Sequence, residues 1–177
     1  MPWKKISSEV VYENPWFQVR RDEVIKPNGG KGGYSYVDGL NAVAVIPEED
    51  SSIYLVKQTR YPIGNIPSWE VVVGGIELNE DVLLAAKREL IEETGLEAQN
   101  WIDMGGFFPA TGYSSEKANF FIASNLQEGE QKLDSTEDII IGKFSIEKVK
   151  EMIANGEIID GFSMAVILKY LLYKNKI

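Results

Sequence analysis

Gly74-Gly75-Ile76-Glu77-Leu78-Asn79-Glu80-Asp81-Val82-Leu83-Leu84-Ala85-Ala86-Lys87-Arg88-Glu89-Leu90-Ile91-Glu92-Glu93-Thr94-Gly95-Leu96 decides how this chain is read. Asn79 is an N-cap residue by type, and Glu80 and Asp81 follow in the first turn, where the helix dipole favours negative charge. The helix is expected to run to Thr94 and stop at Gly95, a good C′ residue. At about 100° per residue, Glu89, Glu92 and Glu93 fall within an arc of roughly 100° on one face. Leu83, Ala86 and Leu90 form the neighbouring apolar stripe, so the helix docks with its carboxylates at the rim of the contact. Residues 75–100 hold seven acids and two bases, a net of −5 out of −9 for the chain.

Two readings compete for that charge. One is a solvated acidic face, in which Arg88, four residues before Glu92, relieves some repulsion. The other is a site for a hard cation. Mg²⁺ takes carboxylate oxygen, keeps several waters and is commonly completed by substrate phosphate. Clustered carboxylates without His suit Mg²⁺ or Mn²⁺ rather than Zn²⁺.

The rest of the composition narrows the chemistry. The 177 residues contain neither Cys nor His. Disulfides, thiolate nucleophiles, zinc fingers and Ser-His-Asp triads are therefore excluded. Any catalysis must come from carboxylates, Lys, Arg, Tyr, hydroxyls or an oxygen-bound metal. The 27 acids against 18 bases argue against nucleic-acid binding. A phosphate substrate stays possible, because a bound divalent cation inverts the local charge. The start, MPWKKISSEV, lacks an apolar signal core and no run approaches 18 apolar residues, so no membrane partner and a cytoplasmic location are expected.

Working outward from the helix, residues 1–40 read as a small antiparallel β-unit, with strands at Glu9–Tyr12, Trp16–Lys26 and Tyr34–Val37 and a Gly-rich turn at 27–33. Residues 41–177 read as the main domain. Its strands are expected at Asn41–Ile46, Ser52–Thr59 and Trp69–Val73, then at about 101–108, 117–124 and 138–144. Two late helices are expected, Ile146–Ala154 and Asp160–Lys174, with Asp160 as a cap. The order implies α+β, a mixed sheet between helices.

The spacing from Gly74 through Glu80 to Arg88-Glu89-Leu90-Ile91-Glu92-Glu93-Thr94-Gly95-Leu96 matches every fixed position of the Nudix box. A chance match is on the order of one in a billion per start point, which sets the solvated-face reading aside. The chain thus resembles the Nudix hydrolases. The resemblance implies a Nudix fold, an α/β/α layering behind the small N-terminal unit. It implies Glu89, Glu92, Glu93 and the Val73 carbonyl as metal ligands, with Glu89 and Glu93 also catalytic. Gly74, Glu80 and Arg88 are then supporting residues, Arg88 and Glu80 joining loop to helix.

Flanking stretches resemble the ADP-ribose pyrophosphatases within that family. These are Gln58-Thr59-Arg60-Tyr61-Pro62-Ile63-Gly64, Trp69–Gly75 and Phe108–Glu116, together with Thr136-Glu137-Asp138-Ile139. The resemblance implies Glu137 as catalytic base, with Glu116 the next candidate. Its matched context points to substrate contacts from Arg60, Glu70 and Glu116, the other readings being a structural Glu70–Arg60 pair and a plain loop acid at Glu116; Trp16 and Tyr36, as flat apolar rings, suit either stacking on a nucleobase or core and dimer contacts. A homodimer through the N-terminal unit is implied as well. Val72-Val73 replaces the usual Pro-Ala before the box glycine, which bears on the sugar more than on the chemistry. The expected reaction is Mg²⁺-dependent hydrolysis of ADP-ribose to AMP and ribose 5-phosphate. The alternatives are another nucleotide sugar such as GDP-mannose, a nucleoside triphosphate, or a non-catalytic nucleotide-sugar sensor.

Overall fold

The structure, a computed structural model, describes residues 1–133 and 138–175. The chain divides into two compact units, Met1–Asn41 with Phe107–Ala118, and Ala42–Gly106 with Asn119–Ile177.

The first unit is a three-stranded antiparallel sheet of β1 (Lys4–Glu13), β2 (Phe17–Ile25) and β3 (Lys31–Gly39), in that order. The β2–β3 turn is closed by Asn28, whose side chain accepts the Gly30 N–H at 3.0 Å. β1 begins well before the expected Glu9. It pairs with β2 from Lys4↔Ile25 to Glu13↔Gln18, so the hydrogen-bond ladder extends it where its own composition is polar. All ten of its residues are exposed. The 107–118 segment is tied to β3 by Val37 N–H to the Tyr113 carbonyl (2.8 Å) and Ser115 N–H to the Val37 carbonyl (3.0 Å).

The second unit is built on a mixed sheet. Its strands are β4 (Ala42–Glu49), β5 (Ser52–Arg60), β6 (Ile66–Glu70), β7 (Val72–Gly75), β8 (Leu96–Phe107), β9 (Ala118–Glu128) and β10 (Ile140–Ser145). The order is β10-β5-β4-β9-β8, with β6 also paired to β5 and β7 to β4. The helices are α1 (Val82–Thr94), α2 (Ile146–Ala154) and α3 (Gly161–Tyr173). Strand β4 explains the layering. Val43 and Val45 join Ala85, Ala86 and Leu90 of α1 in one core, while the alternate residues Ala44 and Ile46 are equally buried and point the other way. Helix α3 packs against the same strand, so both faces of the sheet are covered. This is the α/β/α arrangement expected. Among the described residues, no helix is long and apolar enough to cross a membrane.

Three local expectations need correction. The N-cap of α1 is Asp81, not Asn79: its carboxylate accepts the Leu83 and Leu84 N–H groups at 3.0 and 3.1 Å. Asn79 sits at φ +66° in the preceding turn, a conformation that Asn tolerates. The run Trp69–Val73 is not one strand but two, broken at Val71, and the second continues through Gly74 and Gly75. Strand β8 starts at Leu96, directly after the helix, ahead of the expected 101.

Candidate active site

Helix α1 carries the carboxylates. Docking its apolar stripe on β4 and β7 draws the adjoining face inward, so Glu89 is 9% exposed and Glu93 only 4%, while Glu92 is half-buried. Buried charges at the edge of a core need partners or a cation. Gly74 on β7 makes room for one of them: a Cβ there would fall on the Glu89 carboxylate. Only glycine allows that side chain to lie against the strand.

Arg88 organises the approach to α1. A guanidinium has five N–H donors, and here each has an acceptor. Nε donates to Glu80 Oε1 (2.9 Å), Nη1 to Glu89 (2.7 Å) and Glu92 (3.0 Å), and Nη2 to Glu80 Oε2 (2.9 Å) and the Gly75 carbonyl (2.8 Å). The hydrogen bonds it donates to Glu80, then those to Glu89 and Glu92, push the Arg88 guanidinium upward against the opposing effect of burial. The Arg88 hydrogen bond in turn holds the Glu80 carboxyl below its ordinary range. Glu80 also accepts the Glu77 N–H at 2.9 Å, so the loop backbone, the helix and the strand end meet at one cation.

A second pair lies on β5 and β6. Glu70 is 2% exposed and accepts Arg60 Nη2 at 2.6 Å, Arg60 Nε at 3.2 Å and Gln58 Nε2 at 3.2 Å. Burial tends to lower the Arg60 guanidinium, but Glu70, aided by Glu93 and Asp160 at longer range, raises it. Arg60 is therefore close enough to Glu93 to feel its charge. Among the described residues the Glu70 pair takes Nε and Nη2, and 44% of the Arg60 side chain is exposed.

The far end of α1 is held by the chain leaving β9. Gly95 closes the helix at φ +68°. Past it, Gly129 N–H donates to the Gly95 carbonyl (2.7 Å), Gln131 Nε2 to the Glu93 carbonyl (2.6 Å) and Lys132 N–H to the Glu92 carbonyl (3.1 Å).

The second unit thus brings together Glu89, Glu92, Glu93, Gly74, Glu80 and Arg88, with Arg60 and Glu70 alongside. Val73 lies in β7, one residue before the hollow at Gly74. The remaining expected residues belong to the first unit. Trp16 is 71% exposed in the β1–β2 turn, Tyr36 is half-buried in β3 opposite Arg20, and the Glu116 carboxyl is raised by burial. Glu137 lies outside the described residues. Gln58, Gln131 and Ser163 were not singled out from the sequence. Their partners Glu70, Glu93 and Val71 are, respectively, 12, 38 and 92 positions away, distances at which no local pattern operates.

The donor set fits a hard divalent cation: carboxylates alone, two of them buried, over a glycine hollow. Among the described residues no three acidic side chains form a ready-made cage. Arg88 holds Glu89 and Glu92, and a cation completed by water and phosphate needs no cage.

Comparison with known proteins agrees with this geometry. Residues 3–37 match the model of the nucleoside diphosphate sugar hydrolase N-terminal domain, and residues 38–160 match that of the NUDIX domain. An ADP-ribose pyrophosphatase of Mycobacterium tuberculosis is 32% identical over 94% of this chain and 82% of its own length. Another, from Bacillus subtilis, is 29% identical over 97% and 93%. A crystal structure titled ADP compounds hydrolase superposes with a TM-score of 0.85 at 19% identity, covering 100% of this chain and 98% of that one, a likeness of fold. With a NUDIX model matched across 38–160 and a carboxylate helix of this design behind Gly74, the chain belongs to the Nudix family and is a Nudix hydrolase.

Proposed function

We propose that this hydrolase cleaves the diphosphate of a nucleoside diphosphate sugar, with ADP-ribose the preferred substrate and Mg²⁺ the cation, replaceable by Mn²⁺. The observation that carries the reading is the pair of buried acids, Glu89 and Glu93, beside a half-exposed Arg60 that senses Glu93. The two relatives named ADP-ribose pyrophosphatase support the choice of sugar.

Glu89, Glu92, Glu93 and the Val73 carbonyl would hold the cation. When bound, it neutralises diphosphate charge and lowers the pKa of a bound water. Arg88 spaces Glu89 and Glu92 and keeps the loop after β7 in place. Arg60 offers Nη1 to a phosphate oxygen while Glu70 fixes its plane. Glu137 is assigned as the base that takes the water proton, with Glu116 next in line. One water oxygen adds to phosphorus, the bridging P–O bond breaks, and AMP and ribose 5-phosphate leave. Trp16 and Tyr36 are assigned to the nucleobase. Residues 1–40 are taken as the pocket and dimerisation unit of a cytoplasmic homodimer, 41–177 as the hydrolase domain.

The test is a panel of ADP-ribose, GDP-mannose and nucleoside triphosphates, with product release measured in Mg²⁺ and in EDTA. AMP release from ADP-ribose should be fastest and should vanish in EDTA. Faster turnover of GDP-mannose or of a triphosphate would move the substrate. No turnover of any of them, with a nucleotide sugar still raising the Tm, would make the protein a sensor.

A further inference from the structure

The break at Val71 joins two strands with different neighbours. β6 pairs with β5 up to Glu70↔Val56, and β7 pairs with β4 from Val72↔Val45. Val71 belongs to neither ladder and is fully buried, so its N–H must find a partner elsewhere. It donates to Ser163 Oγ at 3.1 Å. Ser163 is itself fully buried in the first turn of α3, and its hydroxyl donates to the N-cap carboxylate of Asp160 at 2.7 Å, which also accepts the Ser163 N–H at 2.7 Å. The free edge of β6 is held the same way further back: Trp69 N–H donates to the Glu157 carbonyl (3.0 Å), and Ser68 Oγ accepts the Ile159 N–H (3.3 Å). Residues 157–163 therefore line that edge, and Ser163 is their last contact, at the corner itself.

The corner separates two functional groups. Glu70, which orients Arg60, immediately precedes Val71, and the Val73 carbonyl follows two residues later. We propose that Ser163 is a positioning residue: by accepting the Val71 N–H it sets the angle between β6 and β7, and with it the affinity of the carboxylate site for a divalent cation. The proposal rests on the assignment of Val73, Glu89, Glu92 and Glu93 as cation ligands. A purely structural Ser163 would stabilise the fold and leave cation affinity alone.

The test is substrate-free titration with Mn²⁺, following free Mn²⁺ by electron paramagnetic resonance. Ser163→Ala should raise the Mn²⁺ Kd about tenfold, the scale of outer-sphere effects at metal sites. Ser163→Thr, which keeps the hydroxyl, should return Kd to within about threefold of wild type. Ile167→Val removes a methyl group from a fully buried position on the same helix and controls for lost stability. If Ser163→Ala does not fold, Ser163→Cys is read in its place. The proposal is overturned if Ser163→Ala stays within twofold of wild type, if Ser163→Thr binds no better than Ser163→Ala, or if Ile167→Val weakens Mn²⁺ as much. A wild-type protein that binds Mn²⁺ without cleaving ADP-ribose overturns only the substrate. One that binds no Mn²⁺ overturns both readings.

Discussion

Arg88 and Arg60 are both arginines gripped by carboxylates, yet their surroundings set them apart. Arg88 spends its whole fork inside the protein, on Glu80, Glu89, Glu92 and the Gly75 carbonyl. Arg60 gives Nε and Nη2 to a single buried carboxylate, and 44% of its side chain is exposed. A saturated guanidinium acts as a rivet and has nothing to offer a ligand. A half-used one, held planar from behind, is prepared for an incoming anion. On the proposed function, the same residue type divides between building the site and receiving the substrate.

The contrast can be broken in order of expected effect. Glu93 is the most buried of the three helix acids and its charge acts on Arg60, so Glu93→Gln should cut kcat on the order of a hundredfold or more while circular dichroism stays native; near-normal turnover would remove Glu93 from the site. Arg88→Ala leaves several carboxylates facing one another and should cost about 2–3 kcal/mol, a fall in Tm of about 4–12 °C, with Arg88→Lys recovering little. Calorimetry decides, and a variant as stable as wild type would refute the rivet. Arg60→Lys should behave oppositely, raising KM for ADP-ribose about tenfold, roughly 1.4 kcal/mol, with a smaller loss of Tm than Arg88→Ala. A larger Tm loss than that of Arg88→Ala would erase the distinction.

The smallest effect concerns Glu116, whose carboxyl is raised by burial rather than lowered by an arginine. A raised carboxyl favours the protonated folded form, so its contribution is present below the unfolded value, near 4.5, and is lost as pH rises through the folded value. Glu116→Gln should therefore raise Tm by a degree or two at pH 7, and the gain should vanish at about pH 4. Glu80 has the reverse sign: its hydrogen bonds from Arg88 are kept at neutral pH and lost as pH falls below the ordinary carboxylate range.

What could be read from the sequence follows the range of the interactions. The box was legible because Gly74, Arg88 and the three glutamates act within one loop and one helix. Asp81 and Asn79 are both capping residue types, and only the backbone shows that Asn79 is used up by the turn. The opening of β8, Leu96-Glu97-Ala98-Gln99-Asn100, has little strand character. It becomes a strand because it lies at the sheet edge beside β9. The corner at Val71 looked like one apolar run because the change of neighbour from β5 to β4 leaves no trace in residue type. Ser163, 92 positions from Val71, had no local signal at all.

The crossing at Gly95 has a consequence for how the molecule opens. The carbonyls of Glu92, Glu93 and Gly95 would face water in an isolated helix, and here they accept from Lys132, Gln131 and Gly129. The last turn of α1, with the carboxylates it carries, is therefore tied to the strand exit that seals it. Opening of the β9 exit would uncover those carbonyls and loosen the acidic turn with it. Amide hydrogen exchange in that turn would report the opening of the β9 exit rather than of the helix.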